Sequence, residues 1–281
     1  MFHLIDTEND LESLDKELIL QPYLGVDTEF RRTSKEDINL ALIQVNNSEE
    51  TFIIDCIALG EYRNNCKFLF SGEVVKIFHS FKEDLEAIFF WTQSYLDNVF
   101  DTQLANAFLG GSYSIGYQDL VFKKLDVLVD KEETRSNWIK RPLRDSQLKY
   151  VASDVEFLID LYKDQKRDLD SSKKTDWFKE EIDQTYRRIF SEKVSEEPMN
   201  NIQSLSKAEE KDLLTSFNKI VVSIAKKHQI NSTMLFSKKN QKDFFKKILR
   251  DGFRLALEEI ANWKRDLLLK DLKSLFKDFD N

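Results

Sequence analysis

Two acidic side chains interrupt the most strand-like segment in the first part of this 281-residue chain. Asp27 and Glu29 lie in the run YLGVDTEF (23–30), with apolar residues before them and Phe30 after. Side chains two apart on a β-strand point to the same face of the sheet. Carboxylates this close repel each other unless a cation or a proton lies between them. The face that carries them must therefore be either an ordinary polar face on an edge strand or a cation site.

A further acid lies in a segment whose pattern predicts one helix over residues 144–164. Tyr150 and Asp154 are four residues apart, so they are neighbours on a helix. Both fall on a flank that is continued by apolar side chains. An unpaired carboxylate on a partly apolar side is costly. Asp154 is therefore either a capped or salt-bridged residue, or a metal ligand beside a phenol.

Asp84 falls in the first turn of a predicted helix over 82–93, which follows a predicted strand over 74–80. Acids are common at helix N-termini, and His79 at the strand end fits a hydrogen-bonded histidine at the edge of the core. Together with the three acids above, however, Asp84 completes a set of four oxygen donors without soft ligands. Such a set favours hard ions such as Mg²⁺ or Mn²⁺ and suits two-metal phosphodiester hydrolysis.

The first part of the chain is predicted to be an α/β domain. Consecutive strands without helices between them predict antiparallel pairing, and a later crossover predicts parallel pairing, so we expect a mixed sheet flanked by helices. Beyond the strand over 74–80 and the helix over 82–93, the predicted strands span 2–5, 23–30, 40–45 and 51–56, and a helix capped by Thr7 spans about 8–20.

From Leu143 onward the pattern is helical, and the polar segment 191–210 reads as a linker. We predict a first domain over 1–170, a connecting helix and linker over 171–206, and a small helical domain over 207–281. The net charge of −8 divides unevenly, with −13 in residues 1–170 and +5 in the remainder. Residues 211–250 alone carry +8, and such a segment suits phosphates.

Several classes of protein are excluded or disfavoured. A structural zinc site needs four Cys or His ligands with paired spacings, and the two cysteines and three histidines of this chain show no such spacing. The glycines build no dinucleotide-binding motif, so no nucleotide cofactor is expected. The chain has no stretch of membrane-spanning length and no signal peptide at its start, so we expect a cytoplasmic protein with reduced thiols and no membrane partner.

The acidic motifs resemble ribonuclease D, of the Tyr-containing branch of the DEDD 3′–5′ exonucleases. The first motif is VDTEF with Asp27 and Glu29, the second is HSFKEDLE with Asp84, and the third is YVASD with Tyr150 and Asp154. The segments LALIQV, FDTQLANAFLGG and SNWIKRPLRDSQLKYVASD are also similar, so the resemblance runs continuously over about 22–162. It implies a ribonuclease H-like fold in which the four acids hold two divalent ions, Mg²⁺ or Mn²⁺, and Tyr150 orients the attacking water or helps to deprotonate it. It also implies an RNA 3′ end as substrate, such as a tRNA precursor.

The tail resembles the helical HRDC domain of ribonuclease D and RecQ-type helicases, with room for one copy instead of the usual two. On a helix over 238–250, a basic stripe lies opposite Phe244 and Ile248 and predicts contacts to nucleic-acid phosphates. A solvated lysine-rich face is the alternative. The candidate nucleic-acid-binding residues are His79, Lys239, Lys242, Lys246 and Arg250.

Two other functions stay open at this point. One is a DNA 3′–5′ exonuclease with the same fold and chemistry. The other is a non-catalytic nucleic-acid-binding module, which would not need the four acids. No motif in the sequence identifies a protein partner.

Overall fold

The computed structural model describes residues 2–34, 37–60, 66–129, 133, 136–190 and 205–279, and it divides into two compact units. The first, here called the sheet unit, comprises Met1–Leu104 and Ser114–Asp168; the second, the helical unit, comprises Ala105–Tyr113 and Leu169–Asn281. The predicted first domain over 1–170 includes residues 105–113, whereas the structure packs them within the helical unit. Most of the predicted linker, residues 191–204, lies outside the described residues.

The predicted mixed sheet is confirmed. Its described strands run in the order β1-β4-β3-β2-β5-β6. β2, β3 and β4 pair antiparallel, and the other pairs are parallel. The strands are β1 (Phe2–Ile5), β2 (Tyr23–Ser34), β3 (Asp37–Asn46), β4 (Thr51–Asp55), β5 (Val75–Phe78) and β6 (Val99–Asp101). The short β6 was not predicted, because three residues are too few to show a period.

The helices that begin in the sheet unit are α1 (Glu8–Leu18), α2 (Cys56–Leu59), α3 (Lys82–Thr92), α4 (Thr102–Phe108), α5 (Tyr117–Leu125), α6 (Asp145–Ser153) and α7 (Leu158–Ser171). Thr7 caps α1 by accepting a hydrogen bond from the Asp10 amide, as predicted. The single helix predicted over 144–164 is wrong: the chain leaves the helix at residues 154–157 and re-enters it at Leu158.

The central strands are buried on both sides. Leu24, Val26, Leu42 and Ile43 have no exposed surface, and each such side chain stabilises the fold by roughly 1.5–3 kcal/mol. On one face of the sheet, α6 covers β3 and β4. Tyr150 and Val151 of α6 pack there in one buried cluster with Leu42, Ile53 and Trp138. This packing brings the end of α6 to the middle of β2.

The helical unit contains α8 (Thr175–Phe190), α9 (Lys207–Lys227), α10 (Ser232–Leu235), α11 (Lys238–Asp251), α12 (Phe253–Glu258) and α13 (Asn262–Leu275). Phenylalanine rings form much of its core: Phe217, Phe236, Phe244, Phe245 and Phe276 are 6% exposed or less. Trp263 is also buried, as expected for a core residue. None of the helices in the described part of the chain is both long and apolar enough to cross a membrane.

Candidate active site

Three carboxylates converge beside the middle of β2. Asp27 and Glu29 project from one face of this strand, opposite Gln44 and Leu42 of β3. Asp154 follows directly after the last residue of α6. One carboxylate oxygen from each acid lies within 4.8 Å of the others. The pairing register shifts immediately after Glu29, a local bulge of the kind that turns side chains toward a site.

Burial and mutual repulsion make these acids hard to ionise. Burial and the neighbouring carboxylates raise the pKa of Asp27 well above its usual range. The same causes raise the pKa of Glu29 to about 9, although a hydrogen bond from the Trp138 side chain opposes the rise. Burial raises the pKa of Asp154 to about 7, against a hydrogen bond from Tyr150. A bound cation would remove the repulsion that keeps protons on this cluster.

Asp84 lies next to this cluster and is held separately. It is in the first turn of α3 and is 7% exposed. The Thr28 hydroxyl donates a 2.5 Å hydrogen bond to its Oδ1 atom. Burial raises the pKa of Asp84 to about 7, and its charge in turn raises the pKa of Asp27. The charges of the four predicted acids therefore influence one another, and three of these acids form one close group.

Tyr150 and Trp138 form an aromatic wall beside the acids. Their rings stack with centroids 6.0 Å apart. Trp138 is positioned through Arg141, whose Nη1 donates to the Trp138 carbonyl at 2.6 Å. The same guanidinium binds both carboxylate oxygens of Asp55, at 2.6 and 2.7 Å. A bidentate ion pair of this kind fixes the geometry of the loop that carries the tryptophan.

The donor set fits a hard divalent cation. Carboxylate oxygens are the preferred ligands of Mg²⁺ and Mn²⁺. Gln44, the cross-strand neighbour of Asp27, is fully buried, and its amide nitrogen and oxygen have no hydrogen-bond partner within the described ranges. Buried polar groups normally have partners, so the Asp27 side of the cluster has a place for a further polar ligand.

His79 is bonded inside the protein through both ring nitrogens. Nε2 faces the Ile115 carbonyl at 2.9 Å, and Nδ1 faces the Thr102 hydroxyl at 2.9 Å. Because a carbonyl only accepts, Nε2 carries a proton. In the neutral ring Nδ1 is then an acceptor, and it shares the single proton of the Thr102 hydroxyl with the Phe78 carbonyl, which lies 3.1 Å from the Thr102 Oγ1 atom. Burial lowers the pKa of His79, which favours this neutral form. These contacts favour a structural histidine over the predicted phosphate contact.

The predicted basic stripe lies on α11, opposite the buried Phe244 and Ile248. Lys239, Lys242 and Lys246 are exposed. Arg250, by contrast, binds the two carboxylate oxygens of Asp251 at 2.8 and 2.9 Å. Three of the four predicted cations are therefore presented to solvent.

Sequence reasoning missed three residues that hold the acids. Thr28 donates to Asp84, and Trp138 donates to Glu29. The Tyr117 hydroxyl bonds to the backbone of Ser153 and Phe157. Thr28 and Trp138 stand inside the quoted segments VDTEF and SNWIKRPL. A search for hydrogen-bond donors next to the acids could have singled them out. No local signal marks Tyr117.

A family model described as 3′–5′ exonuclease matches residues 2–170. A curated relative, ribonuclease D of Pseudomonas paraeruginosa, is 40% identical over 142 residues, which cover 50% of this chain and 38% of the relative. The matched part is thus less than half of that relative's length.

Two solved structures share the fold. Escherichia coli RNase D, an exoribonuclease involved in structured RNA processing, superposes with a TM-score of 0.65 at 21% identity, over 99% of this chain and 75% of that one. Brucella melitensis NrnC with bound Mg²⁺ superposes with a TM-score of 0.55 at 22% identity, over 70% of this chain and 98% of that one. With a family model that covers residues 2–170 and an acidic cluster on the matching fold, this chain belongs to the 3′–5′ exonuclease family.

Proposed function

We propose that this chain is a 3′–5′ exoribonuclease that removes nucleoside 5′-monophosphates from RNA 3′ ends by metal-dependent hydrolysis. The observation that carries the proposal is the convergence of Asp27, Glu29 and Asp154 within 4.8 Å, beside Asp84. Acids so close, in positions where burial already opposes ionisation, are costly to the fold. Function, and not stability, accounts for their placement.

In this proposal the four carboxylates hold two divalent ions, Mg²⁺ or Mn²⁺. Such ions supply Lewis-acid activation of water and stabilisation of the charge that develops on the phosphate. The Tyr150 hydroxyl, bonded to Asp154, orients the attacking water. A phenol has an ordinary pKa near 10, so at neutral pH Tyr150 acts as a hydrogen-bonding group and not as the base on its own.

The reaction is a hydrolysis at the last phosphodiester. The water oxygen bonds to phosphorus, the bond from phosphorus to the preceding 3′-oxygen breaks, and that oxygen takes up a proton. The released nucleotide keeps its 5′-phosphate, and the shortened strand ends in a new 3′-hydroxyl. Trp138 and Tyr150 support this chemistry by holding Glu29 and Asp154 in place.

RNA is the proposed substrate because the Pseudomonas paraeruginosa relative is named ribonuclease D and the Escherichia coli protein is described as an exoribonuclease. A tRNA precursor is the proposed natural form. We also propose that residues 207–281 act as one HRDC-like domain that binds RNA phosphates. The exposed lysines at 239, 242 and 246 support this part of the proposal, because they lie on one face of α11, opposite the buried Phe244 and Ile248. Residues 1–170 are proposed as the catalytic domain.

The test uses the full chain with a 3′-extended tRNA, a matched single-stranded RNA and a matched single-stranded DNA. Each is labelled at its 5′ end and incubated with Mg²⁺, with Mn²⁺ or with EDTA. We expect a ladder of progressively shortened RNA and release of 5′-monophosphates only with metal. Asp154→Asn should lower the rate by about a thousandfold, because several kcal/mol of charge stabilisation is lost.

Each other outcome has a defined meaning. Faster degradation of DNA than of RNA would move the assignment to the DNA exonuclease. Binding of RNA without cleavage under all metal conditions would support the non-catalytic module. Unchanged cleavage by Asp154→Asn would remove Asp154 from the site.

A further inference from the structure

The chain between α6 and α7 breaks where no local residue demands it. The segment YVASDVEFL around Asp154 contains neither glycine nor proline, and sharp helix breaks generally need one of these or an inserted group. In a continuous helix the Phe157 amide would donate to the Ser153 carbonyl, four residues earlier. The structure has another group in that position.

The inserted group is the hydroxyl of Tyr117, from the first residue of α5. It accepts a hydrogen bond from the Phe157 amide at 3.0 Å and donates one to the Ser153 carbonyl at 3.2 Å. One hydroxyl thus replaces one helical hydrogen bond and satisfies both of its groups. The ring of Tyr117 is 8% exposed, so this hydroxyl is shielded from solvent.

The other side of the break packs against β2. Gly25 stands two residues before Asp27, and a Cβ atom at this position would lie 3.0 Å from the Val155 carbonyl oxygen. It would also lie 3.1 Å from Leu158 Cβ. Only a glycine allows this approach without displacement. The turn that carries Asp154 is therefore held between the Gly25 backbone and the Tyr117 hydroxyl.

Tyr117 is itself held by the histidine of the second motif. His79 Nε2 and Gln103 Nε2 both donate to the carbonyl of Ile115, at 2.9 Å each. The His79 ring also meets the Tyr117 ring edge-on, with centroids 5.9 Å apart. These contacts fix the start of α5, and with it the position of the phenol.

From this geometry we propose that Tyr117 is a positioning residue: its hydroxyl opens the helix at Ser153–Phe157 and so sets the Asp154 carboxylate toward Asp27 and Glu29 for metal binding. The inference rests on the proposed metal-dependent function. It adds a residue that touches neither the substrate nor the metal and acts through the backbone. It also gives His79 a role in the site that needs no phosphate contact.

The test compares Tyr117→Phe with two matched controls. Tyr95→Phe removes a hydroxyl from a residue that is 55% exposed, and Val121→Ala removes buried methyl groups from the same helix α5 without touching the break. Binding of Mn²⁺ is measured by calorimetry, amide exchange at Phe157 by NMR or mass spectrometry, and RNA cleavage as a function of Mn²⁺ concentration.

We expect Tyr117→Phe to weaken Mn²⁺ binding by about tenfold, because loss of a residue that positions a metal ligand typically lowers metal affinity by at least this factor. We expect faster exchange of the Phe157 amide and cleavage that recovers as Mn²⁺ is raised. Tyr95→Phe should match the wild type. Val121→Ala should lower the melting temperature and leave the Mn²⁺ midpoint in place.

An Mn²⁺ midpoint for Tyr117→Phe equal to that of the wild type overturns the inference. So does an equal shift in Val121→Ala, which would show an effect of stability alone. If the wild-type chain neither binds Mn²⁺ nor cleaves RNA, the proposed function fails instead. Exchange at Phe157 still tests the hydroxyl insertion in that case.

Discussion

The hydroxyl of Thr28 donates to the carboxylate of Asp84 at 2.5 Å, across 56 residues of sequence. Thr28 lies between Asp27 and Glu29 on β2, so this bond ties the first acidic motif to the second. Thr28→Val keeps the shape of the side chain and removes the donor. A hydrogen bond to a charged group is worth about 1.5–3 kcal/mol. Thr28→Val should therefore melt at a lower temperature and cleave more slowly, whereas Thr28→Ser should keep both properties. Identical behaviour of the two variants would contradict a role for this bond.

Tyr150→Phe separates turnover from metal binding. Only the hydroxyl is lost, and a positioned proton-handling group typically contributes a factor of about 100 to 10,000. We expect turnover to fall by at least about a hundredfold. The Mn²⁺ titration should shift only slightly, because Tyr150 supports Asp154 without being a ligand. A shift in the titration as large as that of Asp27→Ala would show that the proposed role is wrong.

Trp138→Phe tests the hydrogen bond to Glu29. That bond lowers the pKa of Glu29, so its loss should raise the pKa further. A carboxylate must lose its proton to bind a metal. Mn²⁺ binding should therefore weaken by roughly tenfold at pH 7 and by less at pH 9. Trp177→Phe in the helical unit is the matched control and should leave both affinities unchanged. An equal loss at the two pH values would point to disrupted packing instead.

The acidic cluster should make the metal-free protein less stable as the pH rises. A carboxyl whose pKa is raised on folding is protonated without penalty below its unfolded value near 4. It destabilises the fold increasingly as the pH climbs through the folded value, which is about 7 for Asp84 and Asp154 and about 9 for Glu29. In EDTA, the melting temperature of the wild type should fall relative to that of Asp27→Asn between pH 5 and 9. The fall should reach several degrees, since a loss of about 1 kcal/mol in the free energy of unfolding lowers the melting temperature by roughly 2–4 °C.

The comparison with Asp27→Asn is needed because His79, with a lowered pKa, changes stability in the opposite direction at acidic pH. Saturating Mg²⁺ should remove the difference between the two curves above pH 7. Curves that stay parallel in EDTA would mean that the cluster carries no such cost.

The lysines of α11 should govern the salt dependence of RNA binding. Each phosphate contact to a single strand contributes about 0.7 to the slope of log affinity against log salt. Reversal of Lys239, Lys242 and Lys246 to Glu should flatten that slope by about 2. Reversal of Lys270, Lys273 and Lys277, which are also exposed in the helical unit, makes the same charge change elsewhere. Equal slopes for the two triple variants would show that overall charge matters and the α11 stripe does not.

The features that depend on residue spacing within one strand or one helix could be predicted from the sequence. The two-residue spacing of Asp27 and Glu29 places both on one face of β2, and the four-residue spacing of Tyr150 and Asp154 survives because α6 reaches Ser153. The break after α6 was not predictable, since its cause is a hydroxyl 40 residues earlier in the sequence. The hydrogen bond from Trp138 to Glu29 was not predictable for the same reason. The loop that carries Trp138 is fixed by an ion pair between Arg141 and Asp55, which are 86 residues apart.

The grouping of residues 105–113 with the helical unit has a consequence for synthesis of the chain. The Asn231 amide donates to the Ala107 carbonyl at 2.9 Å, and its side chain donates to the Gly111 carbonyl, 120 residues back. At a synthesis rate of about 5–20 residues per second, a ribosome adds Gly111 to the chain roughly 6–24 s before Asn231. All residues of the sheet unit have emerged once Asp168 is out, yet Phe108 must wait for Phe178 and Trp263 to cover it. The nascent chain therefore carries an uncovered apolar segment through this interval, until the helices from α8 onward have been synthesised and pack over it.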